Sequence, residues 1–117
     1  MTRSPVAEMQ RAAALSLALL AGPALAETSV QNMTYLCDRD VQVPVVYVTA
    51  DDTALVVLQV EGSQILLYNE AAASGARYAW PSDGSGYVWW SKGAEATLLW
   101  KDGEAGTETP ILSCAQG

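Results

Sequence analysis

The sequence predicts an all-β protein: eight short antiparallel strands forming a small barrel or sandwich, closed by one disulfide. Three observations carry this reading. Apolar residues recur at every second position in one run after another. Clusters of glycine, aspartate and serine interrupt those runs at short intervals. No stretch after residue 27 shows the 3.6-residue period of a useful amphipathic helix. At 117 residues the chain has room for one domain.

The opening stretch is read as separate from that domain. Arg3 and Arg11 flank a polar start, an apolar run follows from Ala12 to Ala21, and Gly22-Pro23-Ala24-Leu25-Ala26 ends in small residues suited to cleavage after Ala26. These are the marks of a secretory signal peptide over residues 1–26, with the mature domain at 27–117. The apolar run is well short of the roughly 20 residues a membrane-spanning helix needs. The two arginines are not adjacent, as a twin-arginine signal would require. No cysteine stands near the cleavage site to carry a lipid, so the expected product is soluble in the periplasm, without a membrane anchor.

Strand by strand, the mature chain begins with Thr34 to Cys37. From Val41 to Val48 the odd positions Val41, Val43, Val45 and Tyr47 form one apolar face. Pro44 removes a ladder donor, which predicts an edge strand or a bulge there. Ala54 to Val60 is rich in β-branched residues, and Glu61-Gly62-Ser63 is short enough for a hairpin turn before Gln64 to Tyr68. Ala76 to Trp80 follows, then a loop of turn formers from Pro81 to Gly86, then the aromatic strand Tyr87 to Trp90. From Ala94, alternation sends Ala94, Ala96, Leu98 and Trp100 inward and Glu95, Thr97 and Lys101 to water. Asp102-Gly103 ends that strand, and Ile111 to Cys114 closes the chain. Strands of four to eight residues predict an interior filled by side chains rather than a roomy ligand pocket.

Cys37 and Cys114 are the only cysteines, 77 positions apart. In an exported protein a pair argues for one disulfide, and closing so long a loop is worth about 4 kcal/mol on the chain-entropy view. With no histidine in the chain, two distant cysteines make neither a zinc site nor a redox motif. No metal or cofactor is implied.

Charge narrows the partners. The whole chain has 6 basic and 13 acidic residues, and the opening segment holds Arg3, Arg11 and Glu8. The mature domain therefore keeps four basic and twelve acidic groups, a net charge of about −8. Such a surface repels nucleic acid and anionic membranes and attracts a cationic protein. Catalysis is poorly provided for. There is no histidine to act as base, no thiol if the cysteines are bridged, and the adjacent Asp51-Asp52 read as a solvated turn. The protein is therefore read as a non-enzyme.

The stretch from Ala71 to Leu99 stands out, with three of the four tryptophans and two of the four mature cations, Arg77 and Lys92. Lys92 continues the parity of Val88 and Trp90. An ammonium is costly to bury unpaired, so the chain is expected to turn there and present it outward. Ser74-Gly75, after three alanines, likewise reads as a tight exposed turn. A hydroxyl and a cation on two tight loops suit insertion into another protein's acidic cleft.

Ala73-Ser74-Gly75-Ala76-Arg77-Tyr78, followed by Tyr87-Val88-Trp89-Trp90-Ser91-Lys92-Gly93 and Glu95-Ala96-Thr97-Leu98, resembles the two motifs of the MliC/PliC inhibitors of c-type lysozyme. Tyr35-Leu36-Cys37 and Cys114 fit the same pattern. The resemblance implies an eight-stranded antiparallel barrel and a c-type lysozyme partner. It makes Ser74 and Lys92 the residues that meet the enzyme's catalytic carboxylates. Gly75, Ala76, Arg77, Tyr78, Tyr87, Trp90, Ser91 and Gly93 then support the loops. Glu27 stands where MliC members carry a lipid-bearing cysteine, which points to the soluble periplasmic form. Asp38-Arg39-Asp40 departs from the pattern, where a glycine-containing turn is expected. Two other classes compete: a lipocalin-type binder of small ligands, and a structural module of the envelope.

Overall fold

The structure, a computed structural model, describes residues 27–117; the expected signal peptide lies outside the described residues. The strands are β1 (Thr28–Cys37), β2 (Gln42–Ala50), β3 (Thr53–Val60), β4 (Ser63–Glu70), β5 (Ala76–Ala79), β6 (Gly86–Lys92), β7 (Glu95–Asp102) and β8 (Thr107–Gln116). Each pairs antiparallel with its chain neighbour, and β8 returns to β1 to close the barrel. The closing seam is short, running only over Tyr35–Cys37 of β1 and Cys114–Gln116 of β8.

Period-two alternation builds the interior. Tyr35 on β1, Val43 and Val45 on β2, Val56 and Leu58 on β3, Leu67 on β4, Trp89 on β6 and Leu98 on β7 are completely buried in one cluster. Each contributes on the order of 1.5–3 kcal/mol by leaving water. Trp89 fills the axis. Its ring meets Tyr35 edge-on, with centroids 5.0 Å apart, and its indole N–H donates to the Tyr47 hydroxyl at 2.8 Å. The Tyr35 and Tyr47 hydroxyls share a further bond of 2.9 Å. Burial, reinforced by the Tyr35 hydroxyl, pushes the Tyr47 phenol well above its usual pKa, and burial also raises that of Tyr78. With these side chains in the lumen, a lipocalin-type internal cavity has no space, and that competing reading is set aside.

The disulfide joins Cys37 to Cys114. The two are directly paired in the β1–β8 ladder, which contains only Tyr35↔Gln116, Leu36↔Ala115 and Cys37↔Cys114. The bond therefore sits on the closing seam.

Several strand expectations change. β1, β2 and β8 are longer than eight residues. Thr28 to Asn32 pair with Val46 to Ala50 but are themselves exposed, so alternation could not mark them. β2 is neither an edge nor bulged at Pro44. Its ladder to β3 starts at Val45, so Pro44 lies outside the pairing on that side. The bulge belongs instead to the other strand proline: Leu98 pairs with Leu112 but Leu99 with Pro110, leaving Ile111 extra. Ala96 and Leu98 face inward as expected. Ala94 lies in the β6–β7 turn, and Trp100 is 41 % exposed at the barrel end, edge-on to Tyr87. Trp80 falls just beyond β5 and is exposed.

The largest correction concerns β6. Trp89 belongs to the core, so Val88, Trp90 and Lys92 share the outer face of the barrel. Val88 is nevertheless buried there, because Ala79, Leu99 and Trp90 cover it in a second, small apolar cluster. The strand is covered on both faces, and the two faces do different work.

After Cys37, Asp38–Asp40 form a short 3-10 turn. Arg39 and Asp40 adopt the left-handed backbone (φ 59° and 58°) that a glycine would adopt without strain. Hydrogen bonds hold the turn: the Cys37 N–H donates to the Val41 carbonyl at 2.7 Å, and the Ser113 N–H donates to the Asp38 carboxylate at 2.9 Å.

Candidate functional site

Antiparallel order brings the β4–β5 connection and the β6–β7 turn to the same end of the barrel. Ala76 pairs with Ser91, so Ser74-Gly75 at the entry to β5 lies beside Lys92-Gly93 at the exit from β6. Gly75 has φ +66°, and a Cβ there would lie 2.4 Å from the Ser91 carbonyl oxygen and 2.6 Å from Lys92 Cγ. Only a residue without a side chain lets the Ser74 turn lie this close to Lys92. Gly93, at φ +58°, makes the tight turn that follows.

Trp90 ties the two loops together. Its indole N–H donates to the Ser74 carbonyl at 2.9 Å, and Lys92 Nζ lies over its ring, 4.3 Å from the centroid. An ammonium over an indole face at this distance is in cation–π range. Lys92 makes no salt bridge among the described residues.

Arg77 is differently placed. It pairs with Trp90 across the ladder, and its guanidinium lies 5.3 Å from the same ring. Glu70 and Glu108 both accept hydrogen bonds from it. The Glu108 bond, with help from Glu70 and against the opposing effect of burial, raises the Arg77 pKa above its ordinary value. Arg77 is thus a cation held by two carboxylates on the outer face, while Lys92 is exposed without a carboxylate partner among the described residues.

The other expected site residues divide. Ala76 and Ser91 are a register pair at the root of the two loops, and the Ser91 hydroxyl donates to the Ala76 carbonyl at 3.4 Å. Ser91 faces the barrel mouth, a depression of about 260 Å³ that also includes Tyr35, Tyr47, Tyr78, Gly93 and Gln116. Tyr78 points into the core, with its ring 5.7 Å from that of Tyr47, and supports the loops from beneath. Tyr87 is not brought to the site. It is the second residue of β6, five residues from Lys92 and roughly 17 Å away by strand rise, and it packs on Trp100 at the opposite end.

Sequence reasoning missed Glu70 and Glu108, which hold Arg77 from 7 and 31 positions away. Nothing local marks either one. It also missed a groove of about 360 Å³ on the outer wall, where Trp90 and Lys92 face Thr97, Leu99 and Pro110.

The fold defines a class: a closed antiparallel barrel whose interior is filled by its own side chains, leaving its end loops and outer wall as the surfaces open to a partner. Residues 35–106 match the sequence model of MliC, membrane-bound lysozyme-inhibitor of c-type lysozyme, and the chain belongs to that family. A membrane-bound lysozyme inhibitor of C-type lysozyme from Pseudomonas aeruginosa is 38 % identical over 88 residues, covering 73 % of this chain. The match spans 66 % of that relative's own length. One of the same name from Cupriavidus necator is 34 % identical over 110 residues, covering 84 % of each. Among solved structures, Pseudomonas aeruginosa MliC in complex with hen egg white lysozyme superposes with a TM-score of 0.62 at 28 % identity, covering 81 % of this chain and 89 % of that one. PliC-St, the periplasmic lysozyme inhibitor from Salmonella typhimurium, gives a TM-score of 0.62 at 23 % identity over 76 % of this chain and 99 % of that one, which shows the shared fold.

Proposed function

We propose that this protein inhibits c-type lysozyme by placing the Ser74 turn and Lys92 in the enzyme's catalytic cleft. The observation that carries the reading is the coupling of the two loops. Gly75 packs on Lys92, Trp90 contacts both the Ser74 turn and Lys92, and Lys92 is exposed at the last position of β6, just before the Gly93-Ala94 turn. Membership of the family and the lysozyme-bound Pseudomonas structure support it.

The chemistry follows from the target. Lysozyme cleaves with two carboxyl groups, one acting as acid and the other as nucleophile or stabiliser. An ammonium between them pairs with the ionised carboxylate, and a hydroxyl hydrogen-bonds the other. Such charge-assisted bonds are the stronger kind. The occupied cleft then excludes the sugar. The acidic surface draws in a basic enzyme, an effect that weakens with salt. No catalytic group is needed, so the protein acts by binding. A periplasmic location after export belongs to the same reading.

The test is lysis of cell-wall suspensions by a c-type lysozyme, with the oxidised, exported protein beside its Lys92→Ala variant. The wild type is expected to stop lysis, and the variant to fail at the same concentration. Lysis unchanged by micromolar wild-type protein would sink the reading.

A further inference from the structure

We propose that Trp90 is the positioning residue of this site, fixing the Ser74 turn through its indole N–H and the Lys92 ammonium through its ring face, so that hydroxyl and cation are presented together. The inference rests on the inhibitory reading above and adds the means by which two separate loops act as one.

Three contacts meet on this one side chain. The indole N–H holds the Ser74 carbonyl at 2.9 Å, and Lys92 Nζ stands 4.3 Å from the ring centroid. A Cβ on Gly75 would lie 3.3 Å from the Trp90 ring nitrogen, so the glycine backbone rests against the indole itself. The ring is itself held. It packs on the outer cluster of Ala79, Val88 and Leu99 beneath, and the Arg77 guanidinium lies over it, fixed by Glu70 and Glu108.

This arrangement addresses a cost that inhibition must otherwise meet at binding. An exposed lysine has many rotamers, and ordering a rotamer-rich side chain opposes association. A side chain already resting on an indole face has lost part of that freedom before the enzyme arrives. The same holds for a turn pinned by its carbonyl. Neither phenylalanine nor tyrosine could do both: phenylalanine keeps a ring face but has no N–H, and tyrosine carries its hydroxyl at the ring tip.

The experiment has two arms. In the first, Trp90→Phe and Lys92→Ala are compared with wild type for lysozyme inhibition, with near-ultraviolet circular dichroism and melting temperature as checks on folding. Trp90→Phe is expected to raise the inhibition constant about tenfold, chiefly through faster dissociation, with the fold intact. Trp90→Leu, which also removes the ring face, should cost more than Trp90→Phe, and its extra penalty should shrink in a Lys92→Ala background, because that part acts through the lysine. The second arm needs no lysozyme. The chain has two lysines, Lys92 and Lys101. Protons over an aromatic face are shifted upfield, so the Lys92 side-chain methylene signals should be displaced in wild type and return to ordinary positions in Trp90→Leu, with Lys101 as internal reference.

Inhibition by Trp90→Phe equal to wild type, while Lys92→Ala loses it, would overturn the positioning role and leave the inhibitory reading standing. Unshifted Lys92 signals in the wild type would overturn it as well. A displaced Lys92 signal beside a wild type that inhibits nothing would support the contact and reject its stated purpose.

Discussion

The two faces of β6 make an instructive pair. Toward the axis, Trp89 is sealed in the core and spends its N–H on Tyr47. Toward the outside, its neighbour Trp90 spends its N–H on the Ser74 carbonyl and offers its ring to two cations. The residue type is the same and the positions are consecutive, yet one indole is locked in the core and the other joins two loops on the outer face. Alternation separates the two tasks: the inner face can be optimised for packing without moving the outer one. The cations repeat the lesson. Arg77 and Lys92 both lie against Trp90, but two carboxylates hold Arg77 while Lys92 remains exposed.

If the faces are separable, substitutions should divide into those that unfold the protein and those that only disarm it. The largest effect belongs to the inner face. Trp89→Ala should cost about 3–5 kcal/mol of stability, read as a fall in the denaturant midpoint, with inhibition lost only as the fold is lost. Lys92→Ala should do the reverse. It should weaken binding by about 2–5 kcal/mol, part of this from enzyme carboxylates left without a partner, while the melting temperature stays unchanged. A large drop in that temperature would break the division. Ser74→Ala should follow the Lys92 pattern with a smaller loss of roughly 1–3 kcal/mol in affinity. Gly75→Ala should blur the boundary, because it strains a left-handed backbone by about 1–2 kcal/mol and pushes the Ser74 turn off β6. Both the melting temperature and the inhibition constant should then move.

The smallest effect sharpens the contrast by pH. Burial holds the Tyr47 and Tyr78 phenols above their ordinary pKa of 10.0. The folded state therefore keeps these protons more firmly than the unfolded chain does. The associated stability is complete below pH 10.0 and declines as pH rises beyond it, toward the folded-state values. Thermal melts across the alkaline range should show the decline, and Tyr47→Phe should flatten it.

Much of this architecture was readable from the residues. Val41 to Tyr47 and Ala96 to Leu98 announce their inward faces because each inward residue is apolar and its neighbours mostly are not. The disulfide followed from there being only two cysteines. The outward placement of Lys92 was anticipated, but for a different reason. Val88 and Trp90 look like core residues, and only the assembled barrel shows that Trp89 takes the inside and that Ala79 and Leu99 cover Val88 from outside. Glu108 meets Arg77 across 31 positions, a distance no local pattern spans. Thr28 to Asn32 lack alternation because they are themselves exposed. The motif resemblance, rather than composition, singled out Ser74 and Lys92; composition made them plausible.

The seam between β1 and β8 has a consequence for the protein's surroundings. A barrel limits its sticky edges only while its last joint stays shut, and here three residue pairs and one covalent bond keep it so. Reduction would leave that joint to three residue pairs alone, and opening it would extend the unpaired seam edges over the whole of β1 and β8, ten residues each, as templates for other chains. Oxidation therefore acts as a safeguard against aggregation as much as a source of stability, and a reducing environment should reveal itself first as turbidity.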